Sequence, residues 1–383
     1  MIHNTEPVGR RALLLSAYDA PSHRQWRQTL CRMFPDIDWS VLTLPPRHFS
    51  WRLRGNSLSW AFGERETLTR HHDFLLCTSM TDLSALRGFV PELGQLPAAV
   101  YFHENQFDYP QSSRQTRNVE PQILNLYTAL SADRVLFNSA HNRDSMLHGA
   151  EALLRKMPDL VPADLVTQLA RRCEVLPVPL PDELYAPAAA KRKPGPLQIA
   201  WNHRWEYDKG PEQLLHLGRQ LIEKGVRFRM HLLGQQFRQL PPAMESLCEL
   251  LTEHYRATDI APGHIGHIPD RQEYLELLGH CDVVLSTSLH DFQGLSLLEG
   301  IAAGCTPLAP SRMVYPEYLP EECLYACDPD PASESAYAAA RLEQWARQIE
   351  QGIALPVVNA DQFRASELRA DYARLFRALE RSN

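Results

Sequence analysis

Between positions 290 and 300 the chain reads His-Asp-Phe-Gln-Gly-Leu-Ser-Leu-Leu-Glu-Gly, which sets the carboxylates of Asp291 and Glu299 eight residues apart around a Gly-Leu-Ser step. The apolar run before it, residues 281–288, suits a buried strand, and residues 295–303 suit a helix. Gly294 would then open the first turn of that helix, whose free N–H groups form a ready anion site together with Leu295 and Ser296. Asp291 would lie in the turn and Glu299 roughly one and a half turns into the helix, one carboxylate on each side of the anion. A ligand with a negative middle and a hydroxyl-rich group at each end matches this spacing, and a nucleotide sugar is such a ligand. The plainer reading makes Asp291 a turn former or N-terminal cap and Glu299 a solvated helix residue.

Such a turn needs a scaffold, and the rest of the chain supplies the pattern of one. Short apolar runs alternate with longer amphipathic ones, as in a parallel α/β protein. RALLLSA, DWSVLTL, DFLLCTS, AAVYFHE and RVLFNS read as strands, with helices expected over 22–34, 122–132 and 142–154. Small residues, three cations and two prolines at 188–196 interrupt the pattern as a linker would. The alternation then restarts with LQIAWNH, RFRMHLLG, IGHI, CDVVLSTS and TPLAPS, and with helices over 210–224, 271–279 and 295–303. The expectation is two doubly wound Rossmann-like domains, residues 1–187 and 188–355, facing a central cleft, with a helical tail over 356–383. No Gly-x-Gly-x-x-Gly follows the first strand, where Ala20-Pro21-Ser22-His23 stands instead, and there is no Gly-Lys-Ser/Thr phosphate loop, which disfavours a dinucleotide oxidoreductase or a P-loop enzyme.

Composition narrows the class further. No apolar run approaches the roughly 20 residues needed to span a bilayer. The eight cysteines are scattered without a Cys-x-x-Cys pair, which fits a reducing cytoplasm and gives no zinc site. The formal net charge is -7, but residues 1–190 carry 19 Lys and Arg against 20 acids, and the remainder 20 against 26. The nearly neutral half holds an acid-free window over 39–63, in which Arg47, Arg52 and Arg54 interleave with His48, Phe49, Trp51 and Trp60. Cations attract phosphates and flat rings stack on unpaired bases, so the window is a candidate RNA-facing segment; the plainer reading is a solvated stretch anchored by its aromatics. Two Asp-x-Asp triplets, at 36–38 and 328–330, sit in Pro-bounded turns where Asp is common for local backbone reasons, and His264 and His267 lack further ligands, so no metal is expected.

The stretch from Asp291 to Pro307 resembles the Glu-x7-Glu signature of glycosyltransferase family 4, retaining enzymes of the GT-B fold, and Arg204 followed by Lys209-Gly210 resembles that family's second signature. The resemblance implies that Arg204 and Lys209 hold the donor diphosphate, Asp291 the sugar hydroxyls and Glu299 the ribose hydroxyls. It further implies that the backbone of Gly294, Leu295 and Ser296 meets the phosphates, that His267 and Ile268 face the base, and that no cofactor or metal is used. Asp at 291 departs from the usual Glu.

In the first half, YDAPSHRQWRQTL, LPPRHFSWRLRGNSLSW and YFHENQFDYP are similar to the tRNA-queuosine mannosyltransferases. That likeness implies transfer of mannose from GDP-mannose to queuosine in a tRNA anticodon, tRNA-Asp foremost, in the cytoplasm and without a membrane partner. It places His103 beside the transferred sugar, and Ser22, His23, Arg47, Trp51, Arg52, Arg54, Glu104, Asn105 and Gln106 toward the acceptor. Two alternatives stay open: a family 4 enzyme acting on a lipid or polysaccharide, and a binding module or epimerase on the same fold.

Overall fold

A computed structural model describes residues 9–109, 118–157, 160–185, 195–236 and 240–380. The chain divides into two compact units, Met1–Leu180 with Phe363–Asn383, and Pro181–Gln362. The 188–196 linker expected from the sequence lies almost wholly outside the described residues.

The first unit is built on β1 (Arg11–Ser16), β2 (Asp38–Thr43), β3 (Phe74–Thr78), β4 (Ala98–Phe102), β5 (Arg134–Phe137) and β6 (Cys173–Val175). Its helices are α1 (Pro21–Met33), α2 (Phe49–Gly63), α3 (Arg65–Leu68), α4 (Leu83–Phe89), α5 (Glu120–Leu130), α6 (Ala140–Leu154) and α7 (Leu165–Ala170). All strand pairs are parallel, in the order β2-β1-β3-β4-β5-β6. Strands β3 and β4 are buried along their whole length, which is why FLLCT and AAVYF read as continuous apolar runs without alternation. Leu13, Leu15, Leu75, Val100, Phe102 and Phe137 form the centre of this unit's core.

The second unit contains β7 (Leu197–Asn202), β8 (Phe228–Leu233), β9 (Ile265–Gly266), β10 (Val283–Leu285), β11 (Thr306–Pro310) and β12 (Leu324–Tyr325). Its helices are α8 (Pro211–Glu223), α9 (Pro242–Arg256), α10 (Arg271–Gly279), α11 (Leu295–Ala302) and α12 (Pro331–Glu350). The sheet, again parallel, runs β12-β11-β10-β7-β8-β9. Order reverses between β1 and β3 in one sheet and between β7 and β10 in the other. At such reversals the loops leaving the carboxyl ends of neighbouring strands diverge and leave room for a ligand.

The last helix, α13 (Ala365–Glu380), corrects the expected tail. It is part of the first unit: Leu180 pairs with Arg364, Trp26 donates to the Tyr372 hydroxyl, and Phe376 packs on Phe34 and stacks on Phe74. Residues 356–362 stay with the second unit, where Thr306 donates to the Pro356 carbonyl and Tyr185 to that of Ala360. The unit boundary falls at 180/181 rather than 187/188.

A second correction concerns the acid-free window. Its first residues belong to β2, as expected, but 49–63 form the 15-residue helix α2 rather than a solvated stretch. The buried face of α2 mixes polar and apolar groups, Arg52, Asn56 and Ser57 beside Leu53, Trp60 and Ala61, while Trp51, Leu58 and Phe62 are exposed, so its sequence shows no clean apolar stripe. Asn56 holds the buried face, donating to the Met80 carbonyl and accepting from the Asp82 N–H.

Candidate active site

In the second unit, parallel pairing of β7 with β10 brings together two segments about 80 residues apart in sequence. After β7 the chain passes through Asn202, His203 and Arg204 into a 3-10 turn, Tyr207–Lys209. This turn is bonded to the loop after β10: Thr287 donates to the Lys209 carbonyl at 2.8 Å, and the N–H groups of Leu289 and His290 donate to that of Asp208. Gly210 follows with φ of 67°, where any Cβ would collide with the Thr287 carbonyl oxygen. Only glycine both takes that backbone conformation readily and allows this approach.

The side chain of Lys209 is thereby delivered to the opposite loop. Its Nζ donates to the His290 carbonyl at 2.9 Å and lies 3.2 Å from Asp208 Oδ2 and 3.4 Å from Asp291 Oδ2. Burial would lower the ammonium's pKa, but Asp291 and Asp208 raise it instead. Burial would likewise raise the Asp291 carboxyl; Lys209, His203 and hydrogen bonds from the Gly294 N–H and the Tyr315 hydroxyl hold it below the usual carboxylate range. Both groups are therefore charged throughout the neutral range. His203, wholly buried beside them, is pushed down to about 4 by burial and by Lys209, so its imidazole is neutral. Arg204 is half-exposed and pairs with Glu206 at 2.7 Å.

Gly294 caps α11 with φ of 74°, and the first turn of α11 carries no side-chain cap, so its N–H groups remain open to an anion. A Cβ at 294 would come to 2.7 Å of the Tyr318 hydroxyl. Asp291 flanks that turn on one side. On the helix itself Glu299 is buried, receiving Arg271 Nη2 at 2.8 Å and the Tyr274 hydroxyl at 3.0 Å. Asn202 ties the two halves, donating to the Tyr274 hydroxyl and to the Ser296 carbonyl. Of the expected base-facing pair, Ile268 is buried and His267 exposed; both lie on the short stretch between β9 and Arg271.

In the first unit, His103 ends β4 and is buried, stacked on His23 with ring centroids 4.1 Å apart and edge-on to Trp26. Burial, then His23, hold its pKa well below the ordinary value, so this ring too is neutral. His23 Nε2 lies 3.2 Å from Glu104 Oε2, which joins two of the residues expected near the acceptor. Ser22 is only partly buried and lies beside His23 in the first turn of α1. Asn105 is turned to structural use, donating to Asn142 and Ser145, and the Gln106 N–H donates to Asn125. Arg54 is spent on Asp82 and Glu120. Arg47 and Trp51 are exposed, and Arg52 is buried.

Sequence reading missed His203, Asp208, Arg271, Tyr274, Tyr315 and Tyr318 as site residues. His203 and Asp208 lie inside the second signature, so proximity alone could have raised them. Arg271 and Tyr274 lie just past the expected base-facing pair, whereas Tyr315 and Tyr318 come from a segment with no signal of its own and are placed only by the fold. Among the described residues no group of three or more His, Cys, Asp or Glu could hold a metal ion. Asp330 of the second Asp-x-Asp triplet caps α12 instead, accepting from the Ser333 N–H. No helix among the described residues is long and apolar enough to cross a membrane.

Two parallel α/β units, with paired cations and carboxylates at a strand-order reversal, define a glycosyltransferase of the GT-B fold. Solved structures share the architecture at low identity. A sucrose-phosphate synthase from Thermosynechococcus elongatus superposes with a TM-score of 0.64 at 15% identity, over 98% of this chain and 100% of that one. A trehalose-6-phosphate synthase does so with 0.65 at 14%, over 96% and 99%. Residues 11–180 match the family model described as tRNA-queuosine alpha-mannosyltransferase N-terminal. Over 374 residues, 95% of this chain and 96% of the relative, the sequence is 30% identical to the tRNA-queuosine alpha-mannosyltransferase of Drosophila melanogaster. The chain belongs to the tRNA-queuosine alpha-mannosyltransferase family.

Proposed function

We propose that this glycosyltransferase moves mannose from GDP-mannose, with retained configuration, to the cyclopentene-diol of queuosine in a tRNA anticodon, tRNA-Asp foremost, in the cytoplasm. The observation that carries the donor half is the meeting of Lys209, Asp291 and the open turn of α11 at one strand-order reversal. The name of the 30% identical relative supports the acceptor half.

In this scheme Lys209, Arg204 and the N–H groups of Leu295 and Ser296 take the diphosphate, whose charge grows as the glycosidic bond breaks. Asp291, kept ionised, accepts hydroxyls of the sugar. Glu299, oriented by Arg271 and Tyr274, accepts those of the ribose, with His267 and Ile268 toward the base. His103 of the first unit is neutral and buried. The acceptor hydroxyl attacks from the face that the diphosphate leaves, and the departing phosphate takes its proton. The scheme asks for no metal or cofactor.

The test is incubation with queuosine-containing bulk tRNA and, in separate reactions, GDP-mannose, UDP-glucose or UDP-galactose, followed by nucleoside mass spectrometry. One added hexose on queuosine with GDP-mannose alone is the expected result. No change with any donor overturns the reading.

A further inference from the structure

The buried face of α2 contains a charge that none of the described residues answers. Arg52 is 8% exposed, and among the described residues its guanidinium has neither hydrogen bond nor ion pair; its Nε is fully covered and unpartnered. A buried cation without a counter-charge is costly unless an anion completes it. Its neighbour Arg54 shows the contrast, with two carboxylates of its own.

Arg52 is the fourth residue of α2, and long helical side chains lean back toward the N-terminus. The group therefore belongs to the first turn, which has no acidic residue and no side-chain cap. Arg47, exposed and without an ion pair among the described residues, immediately precedes this turn. Because α2 follows β2, the turn opens at the carboxyl edge of the sheet, the edge at which His103 and Glu104 leave β4. Phe49 packs edge-on against Tyr18 and fixes the turn there.

Beside it lies Trp51, 58% exposed yet not loose. Its indole lies over Gly55 so closely that a Cβ at 55 would come to 2.6 Å of Nε1. The missing side chain lets one face of the ring rest on the helix and leaves the other open. A flat aromatic face held next to an unanswered cation matches a base and its neighbouring phosphate better than it matches an apolar protein surface or a lipid tail, neither of which would neutralise Arg52.

We propose that Arg52, the open first turn of α2 and Arg47 bind one backbone phosphate of the acceptor RNA, and that Trp51, seated on Gly55, stacks on an unpaired base beside that phosphate. The assignment rests on the RNA acceptor reading above and gives that acceptor a specific contact.

The experiment measures affinity of the full chain for an unmodified tRNA transcript, for a hairpin with a seven-nucleotide loop and for a blunt RNA duplex, across a salt series. Arg52→Met, which keeps the packing and removes the charge, should weaken tRNA and hairpin binding on the order of tenfold or more and lower the salt slope by about one phosphate contact. Trp51→Ala and Gly55→Ala, the latter with the tryptophan present but displaced, should weaken loop binding by a factor on the order of 10 to 100. Duplex binding should change little in both. GDP-mannose affinity, measured in the same preparations, should not move.

Unchanged tRNA affinity and salt slope in folded Arg52→Met overturn the phosphate contact. Should that variant fail to fold, Arg47→Ala carries the same test on the surface. Equal losses on hairpin and duplex for Gly55→Ala overturn the stacking contact, as does self-association through Trp51 with tRNA binding untouched. If the wild type modifies no queuosine yet still binds loop RNA through Arg52 and Trp51, the function proposed above fails and this contact stands. If it modifies queuosine and the variants match it, the reverse holds.

Discussion

In the proposed function, donor chemistry converges on Lys209. In the absence of ligand it is held by two carboxylates and a carbonyl, an arrangement that fixes the ammonium where a diphosphate can displace part of its bonding. Lys209→Ala and Arg204→Ala should each lower the transfer rate by a factor on the order of 10² to 10³, the usual loss when a partner of developing charge is removed; near-normal single-turnover rates would remove the residue from the diphosphate. His203 offers a different readout. An unfolded chain protonates this histidine near pH 6.5, the folded chain only near 4. The unfolded state therefore binds more protons between those values, and the stability that depends on a neutral ring is intact above 6.5 and lost as pH falls toward 4. The full effect is on the order of 3 kcal/mol. His203→Gln should flatten the dependence of thermal unfolding on pH across this window, and an unchanged slope would mean that the imidazole is protonated in the folded protein.

At the scale of the element, the 3-10 turn of residues 207–209 and the loop after β10 form one unit because Gly210 lets their backbones touch. Gly225 provides an internal control, having the same φ of 67° but open space around its Cβ position. Gly225→Ala should cost roughly 1 to 2 kcal/mol, the left-handed penalty alone, with transfer activity retained. Gly210→Ala adds the collision with Thr287 and should lower activity on the order of tenfold or more by shifting Lys209. Equal behaviour of the two variants in unfolding and transfer assays would dismiss the close approach. Helix α2 makes the opposite point about elements, since its buried face interleaves Arg52, Asn56 and Ser57 with Leu53, Trp60 and Ala61 and leaves no apolar stripe in the sequence. Its sequence composition pointed to RNA, but its sequence pattern did not reveal a helix.

For the whole molecule, the first unit is completed only when the chain returns to it at Phe363. Phe376 lies among Phe34, Trp39, Phe74 and Tyr372. Phe376→Ala should therefore destabilise the first unit by roughly 3 to 5 kcal/mol, about 10 °C in its unfolding transition for a unit of this size. A calorimetric scan in which the variant unfolds like the wild type would show that α13 is dispensable.

The sequence by itself determined the alternation of strands and helices, because continuous apolar runs and amphipathic runs are local signals of burial. It also contained the two motifs on which the proposed donor site rests, legible in residue type and short spacing: Asp291 and Glu299 around a glycine-led helix turn, Arg204 and Lys209 before a glycine. Tertiary structure alone decided which of the basic residues at 47–54 are available, since Arg54 is neutralised by Asp82 and Glu120, distant in sequence, while Arg52 has no counter-charge among the described residues. It alone placed Tyr315 on Asp291 and Arg271 on Glu299, and assigned the last helix to the first unit. Strand order and chain return are set by summed burial over the whole chain, and no local window of residues contains that sum.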